Sequence, residues 1–152
     1  MFRSIIWCRF EEETMTLDGI TLFCITKELN QSIAGARIDK IFMPEKDEID
    51  ILIRVKNDNK RLKISAHPNL FRLHLTRHPS KNPDTPPSFC MLLRKYLTNA
   101  TIENIQIEGM ERAVFFNILS RDEMGVLKPL KLILELMGKH SNIILTDSNN
   151  KV

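Results

Sequence analysis

No run of apolar residues in this chain approaches membrane-spanning length. The short apolar piece at residues 4–8 is also too brief for a secretory signal, and Glu11-Glu12-Glu13 stands where a small-residue cleavage site would be expected. Cysteine is scarce. Cys8, Cys24 and Cys90 are scattered without C-x-x-C spacing, which argues against a zinc ribbon and against a disulfide framework. In apolar contexts such cysteines pack as small hydrophobes, and a cytoplasmic, reducing environment fits them best. There is no internal repeat and no low-complexity tract. A phosphate-binding P-loop is absent too: Gly138-Lys139 has Ile133 where the first glycine is required, and no Lys-Ser/Thr pair follows.

What remains is ordinary soluble composition. The 152 residues, 43% hydrophobic and 27% charged, suit one domain with a substantial core. Residues 1–14 look unlike the rest of the chain and are expected to be a poorly ordered extension, with Met15 as the natural start of a domain over 15–152. From Asp18 the pattern is helical: Leu22, Ile25, Leu29 and Ile33 fall at spacings of three and four, with Ile20 and Cys24 beside them on the buried stripe. Asp18 suits an N-cap and Gly35 a C′ position. Strands are predicted over 37–43, 48–55, 61–66 and 71–76, joined by turns. After a proline-rich loop, Thr85-Pro86 reads as N-cap and first residue of a helix to Leu97, with Phe89, Leu92, Leu93 and Tyr96 on its buried side. Strands then follow over 101–107 and 113–119. The stretch 130–145 reads as a hairpin around Gly138-Lys139-His140-Ser141, where glycine permits a tight reversal.

The most informative electrostatic feature is another absence. Between Asn59 and Pro83 there is no acidic residue, yet the segment holds Lys60, Arg61, Lys63, Arg72, Arg77 and Lys81 and three of the four histidines. Strand alternation points Arg72, His74 and Thr76 together, with Arg77 and His78 in the following loop. Two readings stay open. The stripe is a phosphate-binding surface, where released counterions supply nucleic-acid affinity; or it is a solvated face whose acids come from elsewhere in the fold. His74 and His78 have H-x-x-x-H spacing, but a strand residue and a loop residue before Pro79 do not align as helical ligands, so no metal site is expected. Cys90 has no general base nearby and lies among apolar residues, so it reads as core. The hairpin apex puts Lys139, His140 and Ser141 side by side, which suits phosphate contact and suits an ordinary solvated turn.

E-L-M-G-K-H-S-N-I-I-L at 135–145 resembles the signature near the end of the NFACT-N domain, which opens the RqcH/NEMF family of ribosome-associated quality-control proteins, long labelled fibronectin-binding proteins. L-D-G-I at 17–20 and G-A-R-I-D-K-I-F-M-P-E-K-D-E-I-D-I-L-I-R at 35–54 are similar to the family's opening, with Met43 where glutamine is commoner. N-P-D-T-P-P-S-F-C-M-L-L-R-K at 82–95 resembles its middle motif. The family's functional Asp-Arg dipeptide falls on Glu111-Arg112, the acid being one methylene longer. Read alone, this pair is a surface ion pair of small energetic weight. The resemblance instead implies an RNA contact, since a guanidinium stacks on bases and binds phosphate bidentately.

The fold expected is α+β: two helices and about eight strands in a two-layer sandwich or partly open barrel; the family resemblance implies an architecture similar to the N-terminal domain of formamidopyrimidine-DNA glycosylases. Fold does not carry chemistry across. Those enzymes attack with an N-terminal proline followed by glutamate, and here Thr16 and Leu17 follow Met15, so no enzyme activity, catalytic residue or cofactor is expected. The resemblance implies partners instead: the large ribosomal subunit, stalled nascent-chain complexes and tRNA, with support for alanine tailing of nascent chains. The resemblance places a tRNA contact at Glu111 and Arg112; with the basic stripe and the hairpin apex read as phosphate-binding, the tRNA contacts expected are Glu111, Arg112, Arg72, His74, Arg77, Lys139 and His140. The family's later domains do not follow Val152, so a fragment is expected. A surface fibronectin-binding adhesin and a non-catalytic DNA-lesion binder are the alternatives.

Overall fold

The structure, a computed structural model, describes residues 19–67, 71–107, 113–135 and 141–147. The extension 1–14, Met15 and the N-cap expected at Asp18 lie outside the described residues. Helix α1 spans Gly19–Ile33, and Leu22, Ile25, Leu29 and Ile33 are all buried, as the spacing predicts. Cys24 corrects the expected stripe, because it is exposed. At roughly 100° per residue it lies some 200° round the helix from Leu22, on the far side. Gly35 follows the helix at φ 80, a left-handed conformation that costs glycine no Cβ clash. Its N–H donates to Ile102 O at 2.7 Å rather than back into the helix, so the cap also stitches α1 to the sheet.

Among the described residues eight strands follow: β1 (Arg37–Glu45), β2 (Glu48–Val55), β3 (Asp58–Ser65), β4 (Arg72–Thr76), β5 (Thr101–Ile107), β6 (Ala113–Arg121), β7 (Leu127–Glu135) and β8 (Asn142–Asp147). They form one open antiparallel sheet in the order β4-β3-β2-β1-β5-β6-β7-β8. The expected sandwich is thus two four-stranded meanders sharing one sheet. The seam between them is short: Arg37 lies opposite Thr101, with Ile38 N–H donating to Ala100 O and Ile102 N–H to Ala36 O, both at 2.8 Å. The β1–β2 turn and the start of β8, far apart in strand order, line one hollow with Phe89, so the sheet curls. A single core runs through both halves, from Ile38, Ile49, Ile51 and Ile64 to Val114, Phe116 and Leu132.

Pro129 stands inside β7, where a missing N–H would ordinarily break the ladder. It pairs with Leu119 of β6, and the described part of β8 ends at Asp147, opposite Leu130. The proline therefore lies past the described β7–β8 pairing, near the start of β7.

Helix α2 spans Ser88–Leu97 and begins later than Thr85-Pro86 suggested; its N-cap is Pro87, at φ −61 and ψ 156, with no side-chain cap. A residue before proline is driven to extended backbone, so neither Thr85 nor Pro86 can open a helix ahead of Pro87. Cys90, Leu93 and Leu97 are its buried residues. The expected buried side is shifted, for Leu92 and Tyr96 are 43% and 42% exposed. Burial pushes the Cys90 thiol above its usual pKa, only partly opposed by the Arg94 charge, in keeping with a packed rather than reactive sulfur.

The β6–β7 turn is held by Asp122, whose carboxylate accepts from Met124 N–H and Val126 N–H, each at 2.9 Å. The Val126 bond is the largest of the effects that lower its pKa from the ordinary 3.8; burial opposes it, and the Met124 bond and Lys128 add to the lowering. A lowered carboxylate pKa stabilises the fold above the unfolded-state value and loses that contribution as pH falls through the folded value. The Val126 amide resonance should therefore titrate with a midpoint below 3.8 and stop titrating in Asp122→Asn. A midpoint at or above that value would mean the cap does not form in solution.

Candidate nucleic-acid interface

The acid-free segment 59–83 becomes β3, β4 and the loop leading to α2. Antiparallel register sets Asp50 of β2 opposite Lys63 and Leu52 opposite Arg61, while β4 continues the row with His74 opposite Lys63 and Thr76 opposite Arg61. Alternation thus gathers Arg72, His74 and Thr76 on one face together with Arg61 and Lys63. That face is partly occupied by acids from β2. Asp50, with no exposed side-chain surface, lies 3.3 Å from Arg61 and 3.4 Å from Lys63. Glu48 lies 2.5 Å from Lys63. Ser80, in the loop after β4, donates to Glu48 at 3.1 Å and is hydrogen-bonded to Lys63. Arg61 also lies over the Phe42 ring at 5.5 Å, with Arg94 of α2 at 5.8 Å from the same ring.

Two of the six cations are therefore neutralised by acids from the neighbouring strand. The E-I-D-I alternation at 48–51 carried the signal: with Ile49 and Ile51 buried in the core, Glu48 and Asp50 must both face the other side. Lys60 stands opposite Ile53, so it belongs to the other face. Arg72, Arg77 and Lys81 remain on the β4 edge and its loop. All three are exposed, and none forms an ion pair with a described acid. Arg77 and His78 follow a turn in which His78 N–H donates to Thr76 Oγ1 at 3.1 Å.

His74 sits differently from its neighbour Arg72. It is 9% exposed, with Nδ1 3.3 Å from Leu75 O, and stands opposite Lys63 in the ladder. Arg72 lies at the start of the strand, opposite Ser65, and remains outside. His74 and His78 are accordingly split between interior and surface, and no group of three His, Cys, Asp or Glu side chains is placed to hold a metal ion among the described residues.

Glu111, Arg112, Lys139 and His140 lie outside the described residues. The strand ends that bracket them are well placed, however. Ala113 pairs with Glu135, and Glu135 with Asn142, so the β5–β6 and β7–β8 connections leave the same end of the sheet. Strand pairing does not bring them to Arg72 and Arg77, since β4 is the opposite edge. No helix among the described residues is long and apolar enough to cross a membrane.

Residues 18–152 match the family described as NFACT N-terminal and middle domains. The chain is 46% identical over 138 residues to the Rqc2 homolog RqcH of Bacillus subtilis, an alignment covering 91% of this chain and 24% of that protein. It is 31% identical to the archaeal Rqc2 homolog aRqcH of Methanocaldococcus jannaschii, covering 88% of this chain and 19% of that one. Among solved structures, the N-terminal domain of the fibronectin-binding protein PavA from Streptococcus pneumoniae superposes with a TM-score of 0.84 at 40% identity, over 88% of this chain and 50% of that one. The chain thus spans about a quarter of the length of the bacterial curated relatives it matches.

Proposed function

This chain belongs to the NFACT N-terminal domain family, and from that premise we propose that it is the RNA-binding head of a ribosome-associated quality-control factor. In this reading it acts without catalysis or cofactor in the cytoplasm. It recognises large ribosomal subunits that carry a stalled peptidyl-tRNA, binds tRNA, and supports C-terminal alanine tailing of the nascent chain together with other parts of the full-length factor. The names of the relatives, Rqc2 homologs from bacteria and archaea, support the ribosomal role. The observation that carries RNA binding is the β4 edge: Arg72, Arg77 and Lys81 are exposed and unpaired with any described acid, while neighbouring Arg61 and Lys63 are internally neutralised. Cations left free in this way neutralise phosphate and release counterions. We extend the proposal to a glycosylase-like architecture without glycosylase chemistry.

The test is a filter-binding titration of several tRNAs across salt concentrations. Arg72→Ala and Arg77→Ala should weaken all tRNAs alike, each reducing the salt slope by about 1. Lys63→Ala should do so far less, its charge being already paired. Equal slopes in all variants would remove β4 from the interface. The name of the pneumococcal neighbour favours a second reading, a fibronectin-binding surface protein; capture on immobilised fibronectin by the same preparations, unaffected by these arginine changes, would select it.

A further inference from the structure

Away from β4, a groove of about 540 Å³ runs between α1 and the strands β5, β6 and β7. Its composition is unlike an ordinary surface furrow. Phe23 of α1 lines it and is 53% exposed, and Phe115 of β6 lines it from the strands. Two cations stand at it, Lys27 from the helix and Lys131 from β7, and none of its described lining residues is acidic. Neither lysine pairs with a described acid. The described lining thus combines aromatic surface with positive charge.

Its remaining polar groups are carboxamides with capacity to spare. Asn117 donates from Nδ2 to Asn104 Oδ1 at 2.6 Å and to Gln106 Oε1 at 3.4 Å, which leaves Asn117 Oδ1 and the Gln106 amide nitrogen available. Asn30 accepts Ile105 N–H through Oδ1 at 2.8 Å, fixing the helix on β5 and leaving its own Nδ2. An independent observation points the same way. Thr26 also lines the groove, is 3% exposed, and its hydroxyl has no hydrogen-bond partner among the described residues. A buried hydroxyl left unmade is costly unless something else supplies its partner.

An exposed aromatic beside a half-buried one, flanking lysines and amide groups offering both donor and acceptor are what an unstacked nucleotide needs: a ring to stack on, a neutralised phosphate and a base edge to read. We infer that this groove binds one unstacked nucleotide of single-stranded RNA, its base against the phenylalanine rings and its phosphates toward Lys27 and Lys131. The site rests on the RNA-binding proposal and adds a second contact to it, distinct from the β4 edge. Ile107, which lines the groove, is the last residue before the connection that carries Glu111 and Arg112, so the groove adjoins that connection.

The experiment uses the full chain, a fluorescent single-stranded oligouridylate and an RNA duplex of equal length, with binding read by anisotropy. Phe23→Leu keeps an apolar side chain at a half-exposed position and removes the stacking ring. It should weaken the single strand by about tenfold and leave the duplex unchanged, with the urea midpoint unaltered. Lys27→Gln combined with Lys131→Gln should reduce the salt slope for the single strand. Photo-crosslinking of a 5-iodouridine oligomer should attach to Phe23 or Phe115. Unchanged single-strand affinity in both groove variants, while Arg72→Ala still weakens it, overturns the groove and leaves the β4 interface standing. The opposite pattern supports the groove and removes β4. No binding of either RNA by the unaltered chain overturns both.

Discussion

Asp50→Ala should destabilise the domain by about 3–5 kcal/mol, the range found when one member of a buried charge cluster is removed. Asp50 is wholly buried between Arg61 and Lys63, whose side chains are themselves only 17% and 10% exposed. Its loss leaves two cations in a poorly solvated place with Glu48 alone to face them. The intact cluster is not for that reason a large source of stability, because desolvating its members offsets much of their attraction. The asymmetry is the useful point: removal is costly even where formation gains little. Ser80→Ala, which deletes one hydroxyl from the same cluster, should cost only about 1 kcal/mol. Urea unfolding of both variants checks the ordering. A loss below about 1 kcal/mol for Asp50→Ala would mean that water reaches the cluster and that it behaves as a surface pair.

The cluster also explains why the basic stripe looked stronger in the sequence than in the fold. A linear segment without acids says nothing of the strand beside it, and β2 donates Glu48 and Asp50 across the ladder to Lys63 and Arg61. Only register reveals such cancellation. What stays free is the β4 edge and its loop, where no further described strand lies alongside. The electrostatic footprint is therefore narrower than six cations, and it is centred on Arg72, Arg77 and Lys81.

Where side-chain period alone decided the outcome, the fold was legible. β2 and β5 have the bounds that alternation predicted, and the buried stripe of α1 falls on the residues spaced by three and four. The misses have a common cause, which is backbone bonding rather than side-chain pattern. β3 begins at Asp58, three residues before its apolar alternation, since the β2–β3 hairpin with Lys56 at φ 54 pairs Val55 with Asp58 directly. β7 likewise begins at Leu127 through pairing with Arg121, although Lys128 and Pro129 argue against a strand. The continuous sheet was invisible for the same reason, because its seam is a few backbone bonds around Arg37 and Thr101. Of the candidate site, charge and alternation placed Arg72, but His74 of the same row is buried, which no local pattern announces. The groove beside α1 was not legible at all, for it is assembled from four elements whose polar residues look like ordinary surface.

Arg112→Ala should lower tRNA affinity by on the order of 1–3 kcal/mol and flatten the discrimination between tRNAs. Arg72→Ala, by contrast, should weaken all tRNAs together. The difference lies in what each arginine is proposed to touch: phosphate contacts position an RNA, whereas contacts to base edges specify it. Arg112 matches the arginine of the family dipeptide and lies in the connection between Ile107 and Ala113, at the end of the sheet from which the β7–β8 connection also leaves. Its neighbour Glu111 keeps the charge of the family's aspartate with one more methylene, so Glu111→Asp should preserve or sharpen discrimination. If Glu111 orients the guanidinium, Glu111→Ala should reproduce the loss of discrimination with a smaller loss of affinity. The measurement is the tRNA titration across salt, made with this domain in the context of a full-length factor, where tethered RNA-binding segments raise the effective concentration. Unchanged affinity and unchanged preference in Arg112→Ala would reduce the pair to a surface ion pair. In that outcome tRNA selection would have to come from elsewhere, with the β4 edge supplying attraction but no choice.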